Sequence, residues 1–144
     1  MIYLRIEKIT DTDYKICILF KIVDDYEKNI ERIIIKLRKK LNLCGFYKVY
    51  MIIRDFGIFL ILKKVDNSYY RDVLNIKFIK SDNLNVYFVT KDYFILDREK
   101  EILYYNGYYY SLVDSAVDVI RISEFGTFVF GECLNKILEE AVIV

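Results

Sequence analysis

From Asn75 to Phe130 short apolar stretches follow one another with little but turn residues between them, and this spacing limits the fold more than any other feature. Asn75–Lys80, Val86–Thr90, Tyr93–Leu96, Ile102–Tyr105, Tyr108–Val113, Asp118–Ser123 and Thr127–Phe130 all read as strands. Parallel neighbours need a crossover of about a dozen residues, usually a helix. Gaps such as Ser81-Asp82-Asn83 and Lys91-Asp92 are too short to hold one. The strands are therefore expected in antiparallel hairpins, and the class is α+β. Asn106-Gly107 is the strongest short-range hairpin signal in the chain.

The first part of the chain has a different rhythm. Met1–Ile9 alternates as a strand, Asp11-Thr12-Asp13 is turn chemistry, and Tyr14–Ile22 is a second strand. Asp24 as cap, with Glu27 completing a capping box, starts a helix. Its stripe is Ile30, Ile33, Ile34, Leu37 and Leu41, with Lys and Glu opposite and Gly45 at the end. Phe46–Arg54 and Ile58–Lys64 are strands joined at Asp55-Phe56-Gly57. Residues 1–65 thus form a strand-strand-helix-strand-strand unit, and Asp66-Asn67-Ser68 is the one candidate linker. Tyr69–Leu74 is either one helical turn or irregular. Residues 69–144 form a β-rich unit closed by a helix over Glu132–Glu140, with Cys133, Leu134, Ile137 and Leu138 inward. Ala141–Val144 is a last strand or an exposed tail, the strand being preferred.

Arg121–Leu138 reads as strand, tight turn at Phe125-Gly126, return strand and helix. Its centre echoes an earlier segment, because Asp55-Phe56-Gly57-Ile58-Phe59 and Glu124-Phe125-Gly126-Thr127-Phe128 share the order acidic, Phe, Gly, any, Phe. Two such hairpins and two principal helices suggest two related half-units packed together. One continuous compact domain is the alternative.

Composition bounds the rest. With 144 residues, 55% of them apolar and 30% charged, the chain is not disordered. A domain of this size hides roughly 68–70% of its unfolded surface and needs no disulfide or metal staple. The net charge is +1, and the one basic concentration along the sequence is Lys36, Arg38, Lys39 and Lys40 at a helix end, where it opposes the helix dipole. No nucleic acid partner is expected on that basis. Cys17, Cys44 and Cys133 form no Cys-x-x-Cys pair and read as buried, reduced thiols of an intracellular protein. No apolar run approaches a membrane span, and Met1–Thr10 lacks a signal peptide's apolar centre, so a soluble cytoplasmic protein is expected.

The chain contains no His, which excludes Ser-His-Asp and Cys-His catalysis and His-ligated metals. No phosphate-loop pattern occurs among the five Gly. Asp55-Phe56-Gly57 spells a kinase magnesium tripeptide by chance, since no catalytic loop precedes it. Asp92, Asp97, Glu99 and Lys100 hold the ingredients of a carboxylate-plus-Lys magnesium site, but turns carry such residues anyway. No cofactor, metal or enzymatic activity is expected.

The aromatic residues carry more. A two-residue turn at Asn106-Gly107 pairs Tyr105 with Tyr108 and Leu103 with Tyr110 on one side, and Tyr104 with Tyr109 on the other. One side must cover the core, and the other shows large amphipathic rings to solvent or a partner. Tyr105, Tyr108, Tyr110 and Phe125 are the candidate partner-binding residues. The plainer reading is that Tyr pairs stabilise the sheet. Stacking on single-stranded nucleic acid is a third reading, weakened by the missing basic groove.

Arg121-Ile122-Ser123-Glu124-Phe125-Gly126, followed by Phe128-Val129 and the helix around Leu134 and Ile137, resembles the C-terminal end of MecA-type bacterial adaptor proteins, which carry an Arg-Leu-x-Glu-Tyr-Gly turn. Ile6-Glu7-Lys8-Ile9 and Tyr14-Lys15-Ile16 are similar to their opening strands, and Tyr105–Val113 to their Tyr-rich hairpin. This chain departs from them in lacking the acidic interdomain linker, in lacking their Asp-rich, Arg-Gly stretch at Lys21–Asp25, in a helix before the Arg-Ile-x-Glu strand that is shrunk to Val113–Val117 or absent, and in its balanced charge. The resemblance implies a non-enzymatic adaptor. The first half would hold a substrate protein or regulator, and the second would dock a Clp-type AAA+ unfoldase that supplies all the ATP chemistry. The alternative is a small self-associating regulatory or viral accessory protein, a homodimer included, that binds partners through its Tyr-rich antiparallel sheet.

Overall fold

The computed structural model describes residues 3–19, 26–66, 74–80 and 85–144. The expected Asp24 cap, the helical turn over Tyr69–Leu74 (its last residue aside), the Asn67-Ser68 part of the linker and the Ser81-Asp82-Asn83 turn lie outside them. The class is α+β, with three helices and two five-stranded sheets among the described residues. Two compact units divide between Lys80 and Ser81.

In the first unit, β1 (Tyr3–Lys8) and β2 (Tyr14–Leu19) form the opening hairpin. Helix α1 (Tyr26–Leu41) follows, then β3 (Gly45–Arg54), β4 (Gly57–Asp66) and β5 (Leu74–Lys80). The sheet order is β1-β2-β4-β3-β5. The apolar stripe of α1 does what its spacing dictates: Ile30, Ile34 and Leu37 are buried against Ile16, Ile18, Val49, Leu60 and Leu62. The helix stops at Asn42, whose φ of 54° is left-handed, while the Leu43 N–H returns to the Arg38 carbonyl at 3.0 Å. Across the sheet, Cys17, Phe59 and Ile52 stand side by side on the opposite face and are buried too.

Strand β5 corrects the expected boundary. The sequence assigns Asn75–Lys80 to the second unit, yet β5 pairs with β3 of the first unit, and in parallel. Alternating Leu74, Ile76 and Phe78 pack onto the α1 core, so burial decided the partner.

The second unit contains β6 (Tyr87–Thr90), a single 3₁₀ turn (Tyr93–Ile95), β7 (Ile102–Tyr105), β8 (Tyr108–Leu112), α2 (Ala116–Phe125), β9 (Thr127–Val129), α3 (Glu132–Glu140) and β10 (Val142–Ile143). Its sheet order is β10-β7-β8-β6-β9. Helix α3 lays Ile137 and Leu138 over Val89, Leu103 and Tyr110. Cys133, expected inward, is exposed, and Cys44 is half-buried. Cys17 alone of the three is buried, and burial pushes its thiol up to about 12.

Two expected strands are helical. Asp118–Ser123 belongs to α2, because the Ser115-to-Asp118 spacing is a helix start: the Asp118 carboxylate accepts the Ser115 N–H at 3.2 Å and the Asp114 N–H at 3.0 Å. Val119 and Ile122 then point inward at helical spacing. Tyr93–Leu96 begins instead as the 3₁₀ turn, capped by Asp92, whose Oδ1 accepts the Phe94 N–H at 3.0 Å. The two echoing segments therefore differ in structure. Asp55-Phe56 turns a hairpin between paired Arg54 and Gly57, whereas Phe125-Gly126 is the junction from α2 to β9. The two units do not share a topology either.

Gly126 is needed there for space rather than for an unusual backbone angle. A Cβ at this position would strike the Val89 carbonyl oxygen and come within 2.7 Å of Phe88 Cε2. Gly126→Ala is expected to lower stability by about 2–3 kcal/mol, read as an earlier urea midpoint with unchanged slope. An unchanged midpoint would mean that β6 and the α2–β9 junction do not approach this closely.

Candidate functional site

The Tyr-rich hairpin has the expected register: Tyr105 pairs with Tyr108, Tyr104 with Tyr109, and Leu103 with Tyr110. Asn106 and Gly107 take φ of 52° and 88°, as a type I′ turn requires. Alternation then sorts the rings between the faces.

On the α3 face, Tyr110 is buried among Val89, Leu103 and Ile137, and burial raises its phenol above the ordinary range. It belongs to the core, which corrects its place among the candidate contact residues. Tyr105 packs at the edge of the same cluster. Its hydroxyl donates to Glu140 Oε2 at 2.8 Å, and this hydrogen bond holds the phenol above its usual value. Tyr108 is more exposed, with Lys91 Nζ 5.2 Å from its ring centre. Phe125 is 53% exposed at the end of α2, where its carbonyl accepts the Thr90 hydroxyl at 3.2 Å. These four residues do not form one surface.

The opposite face does. Tyr104 and Tyr109 meet at 5.2 Å between ring centres, Tyr109 and Tyr93 at 5.3 Å, and Tyr93 and Phe94 at 5.9 Å, all tilted or edge-on. Arg98 lies 5.5 Å from the Tyr93 ring centre and 5.6 Å from that of Phe94. Val142 of β10 stands opposite Tyr104 and extends the row. Phe94 is 80% exposed and Tyr104 42%. A Phe left in water forgoes roughly 1.5–3 kcal/mol of burial. The expected pairs are present, and Tyr104 and Tyr109 are the pair on the face away from α3. Tyr93 and Phe94 were hidden by being read as a strand, although Asp92 two residues before Phe94 was the available signal.

The carboxylate-plus-Lys group does not assemble. Asp92 caps the 3₁₀ turn, and Asp97 Oδ1 accepts the Glu99 N–H at 3.0 Å. Lys100 turns instead to Asp114 Oδ1 at 2.6 Å and Asp118 Oδ2 at 2.8 Å, and also donates to the Leu112 carbonyl. Among the described residues no three of Cys, Asp and Glu are placed to hold a metal ion. Nor is any helix long and apolar enough to cross a membrane among them.

Besides the basic residues at the end of α1, the sheet of the first unit brings together lysines that are far apart in sequence. Register places Lys63, Lys48 and Lys77 side by side on β4, β3 and β5. Comparison with protein-family models, with curated proteins and with solved structures finds no match.

Burial opposes ionisation of Asp118, but the hydrogen bonds from Lys100 and the Asp114 backbone outweigh it and hold the carboxyl below the usual range. Its contribution is therefore complete above the unfolded value near pH 4 and is lost as pH falls through the depressed one. Lys100 is the mirror case. Burial opposes its charge, yet the two carboxylates raise it, so its contribution is lost only as pH rises through that raised value. Asp118→Asn is expected to cost about 2 kcal/mol at neutral pH, with the gap to the parent closing in acid. Urea midpoints at neutral pH and in acid test this, and a pH-independent gap would contradict it.

Proposed function

We propose that the chain is a non-enzymatic, cytoplasmic adaptor or regulator that binds other proteins through the second unit. The observation that carries this reading is the continuous row Phe94, Tyr93, Tyr109 and Tyr104, exposed at Phe94 and Tyr104 and half-buried between them, with Arg98 stacked at one end. Tyr and Arg supply large contact area and hydrogen-bonding groups together, which is why they dominate the energetics of protein interfaces. Here the Tyr rings stand on strands and a capped turn, so little ordering of them is left to be done on binding. The resemblance to MecA-type adaptors supports the same class. On that reading the partner is a Clp-type AAA+ unfoldase, and the first unit holds the protein to be delivered.

A second reading has its own observation. Strand β10 is an edge of the sheet, and Val142, Ile143 and Val144 are each more than 60% exposed beside the Tyr row. An apolar sheet edge pairs readily with another strand, which favours self-association through the same surface.

The test combines a Phe94→Ala/Tyr104→Ala variant with light scattering and with binding to a purified Clp-type unfoldase. The adaptor reading expects a monomer that binds the unfoldase, with affinity falling at least about tenfold in the variant and the urea midpoint unchanged. A dimer that the variant dissociates would transfer the surface to self-association. A monomer that binds no unfoldase would remove the adaptor reading.

A further inference from the structure

We infer that the first unit carries a binding site for single-stranded nucleic acid on the face of its sheet opposite α1. Cross-strand register puts Lys63 directly opposite Lys48, and Lys48 directly beside Lys77. Alternation assigns all three to this face, because Leu62, Val49 and Phe78 next to them pack on the α1 side. Lys63 and Lys77 are exposed and Lys48 is half-buried. At the spacing of neighbouring strands the row is about 10 Å long.

Like charges placed directly opposite one another on a sheet repel. Among the described residues no carboxylate pairs with any of the three. Asp13, at the β2 end of the row, turns its Oδ1 onto the Lys64 N–H at 3.0 Å, and Glu7 faces Lys15. Protection of a sheet edge accounts for Lys77 on β5, but β3 and β4 are inner strands. An anion bound along the row would offset the repulsion.

The neighbouring row says which anion. Tyr50 lies on the same face, between Ile61 and Ile79, and Lys63 Nζ rests 5.8 Å from its ring centre. When Lys63 moves to a phosphate it uncovers that ring, and a base can take its place. Backbone charge on lysines with bases stacked on an aromatic platform is how single strands are held without sequence preference. A duplex presents no such base, and a broad sheet face does not enter its grooves as a helix or ribbon does. The inference does not depend on the protein-binding reading of the second unit.

The experiment is fluorescence anisotropy of a labelled oligothymidylate with the full chain over a salt series. Three neutralised phosphates predict a log–log salt slope of about −2. Replacing Lys48, Lys63 and Lys77 together by Gln is expected to weaken binding about a hundredfold and flatten the slope, while thermal stability holds or rises as the repulsion goes. Tyr50→Leu should cost about tenfold with the slope retained. Lys36→Gln/Lys39→Gln at the end of α1 should leave binding unchanged. The site is overturned if the parent does not bind, if the triple variant binds as well as the parent, or if the α1 variant alone loses binding. Equal affinity for a duplex of the same length, or for polyglutamate, would overturn the assignment to single strands.

Discussion

Backbone hydrogen bonds between strands decide which side chains stand shoulder to shoulder, and in this protein both candidate surfaces depend on that register. A slip of one residue in β7 against β8 would carry Tyr104 under α3 and turn Leu103 away from it. The Asn106-Gly107 turn prevents the slip, since both residues hold the left-handed backbone that a two-residue hairpin needs. In the first sheet the alternation of buried Val49 and Leu62 and partly buried Phe78 does the same work for Lys48, Lys63 and Lys77. Core residues choose the face, and their neighbours inherit the other one.

The second unit adds a polar constraint to this apolar one. Asp118 receives Lys100, two backbone N–H groups and the Ser115 hydroxyl. A buried carboxylate with so many donors is satisfied, and it ties the start of α2 to the segment after the 3₁₀ turn. At the other end of α2, Gly126 lets the chain pass against Val89 and Phe88 where no side chain would fit. Helix α2 is thus located by a charge at its start and by close approach at its end. Helix α3 covers the other side of the unit with Ile137 and Leu138. The hairpin rings beyond their reach remain exposed.

Much of this was legible from residue order. The α1 stripe, the opening hairpin, the Tyr pairing and the closing helix all follow from periodicity and turn chemistry within a short window. The misreadings have particular causes. Asp118–Ser123 has the apolar content of a strand, and its capping signal at Ser115 and Asp118 was outweighed by that pattern. Tyr93 and Phe94 are favoured strand residues, but Asp92 ends β6 and starts a 3₁₀ turn. The shared acidic-Phe-Gly order at Asp55 and Glu124 marks a hairpin in one unit and a helix end in the other. A short motif does not carry its surroundings with it.

By itself the sequence determined the α+β class, the helix periodicities and the hairpin at Asn106-Gly107, because each depends on neighbours along the chain. The tertiary structure alone decided that β5 joins β3, that Tyr110 is core while Tyr104 and Phe94 face solvent, and that Lys63, Lys48 and Lys77 form a row. These residues are far apart in the chain or differ only in which side of a strand they occupy. Pairing across strands, settled by burial of the opposite face, is the physical step that brings them together.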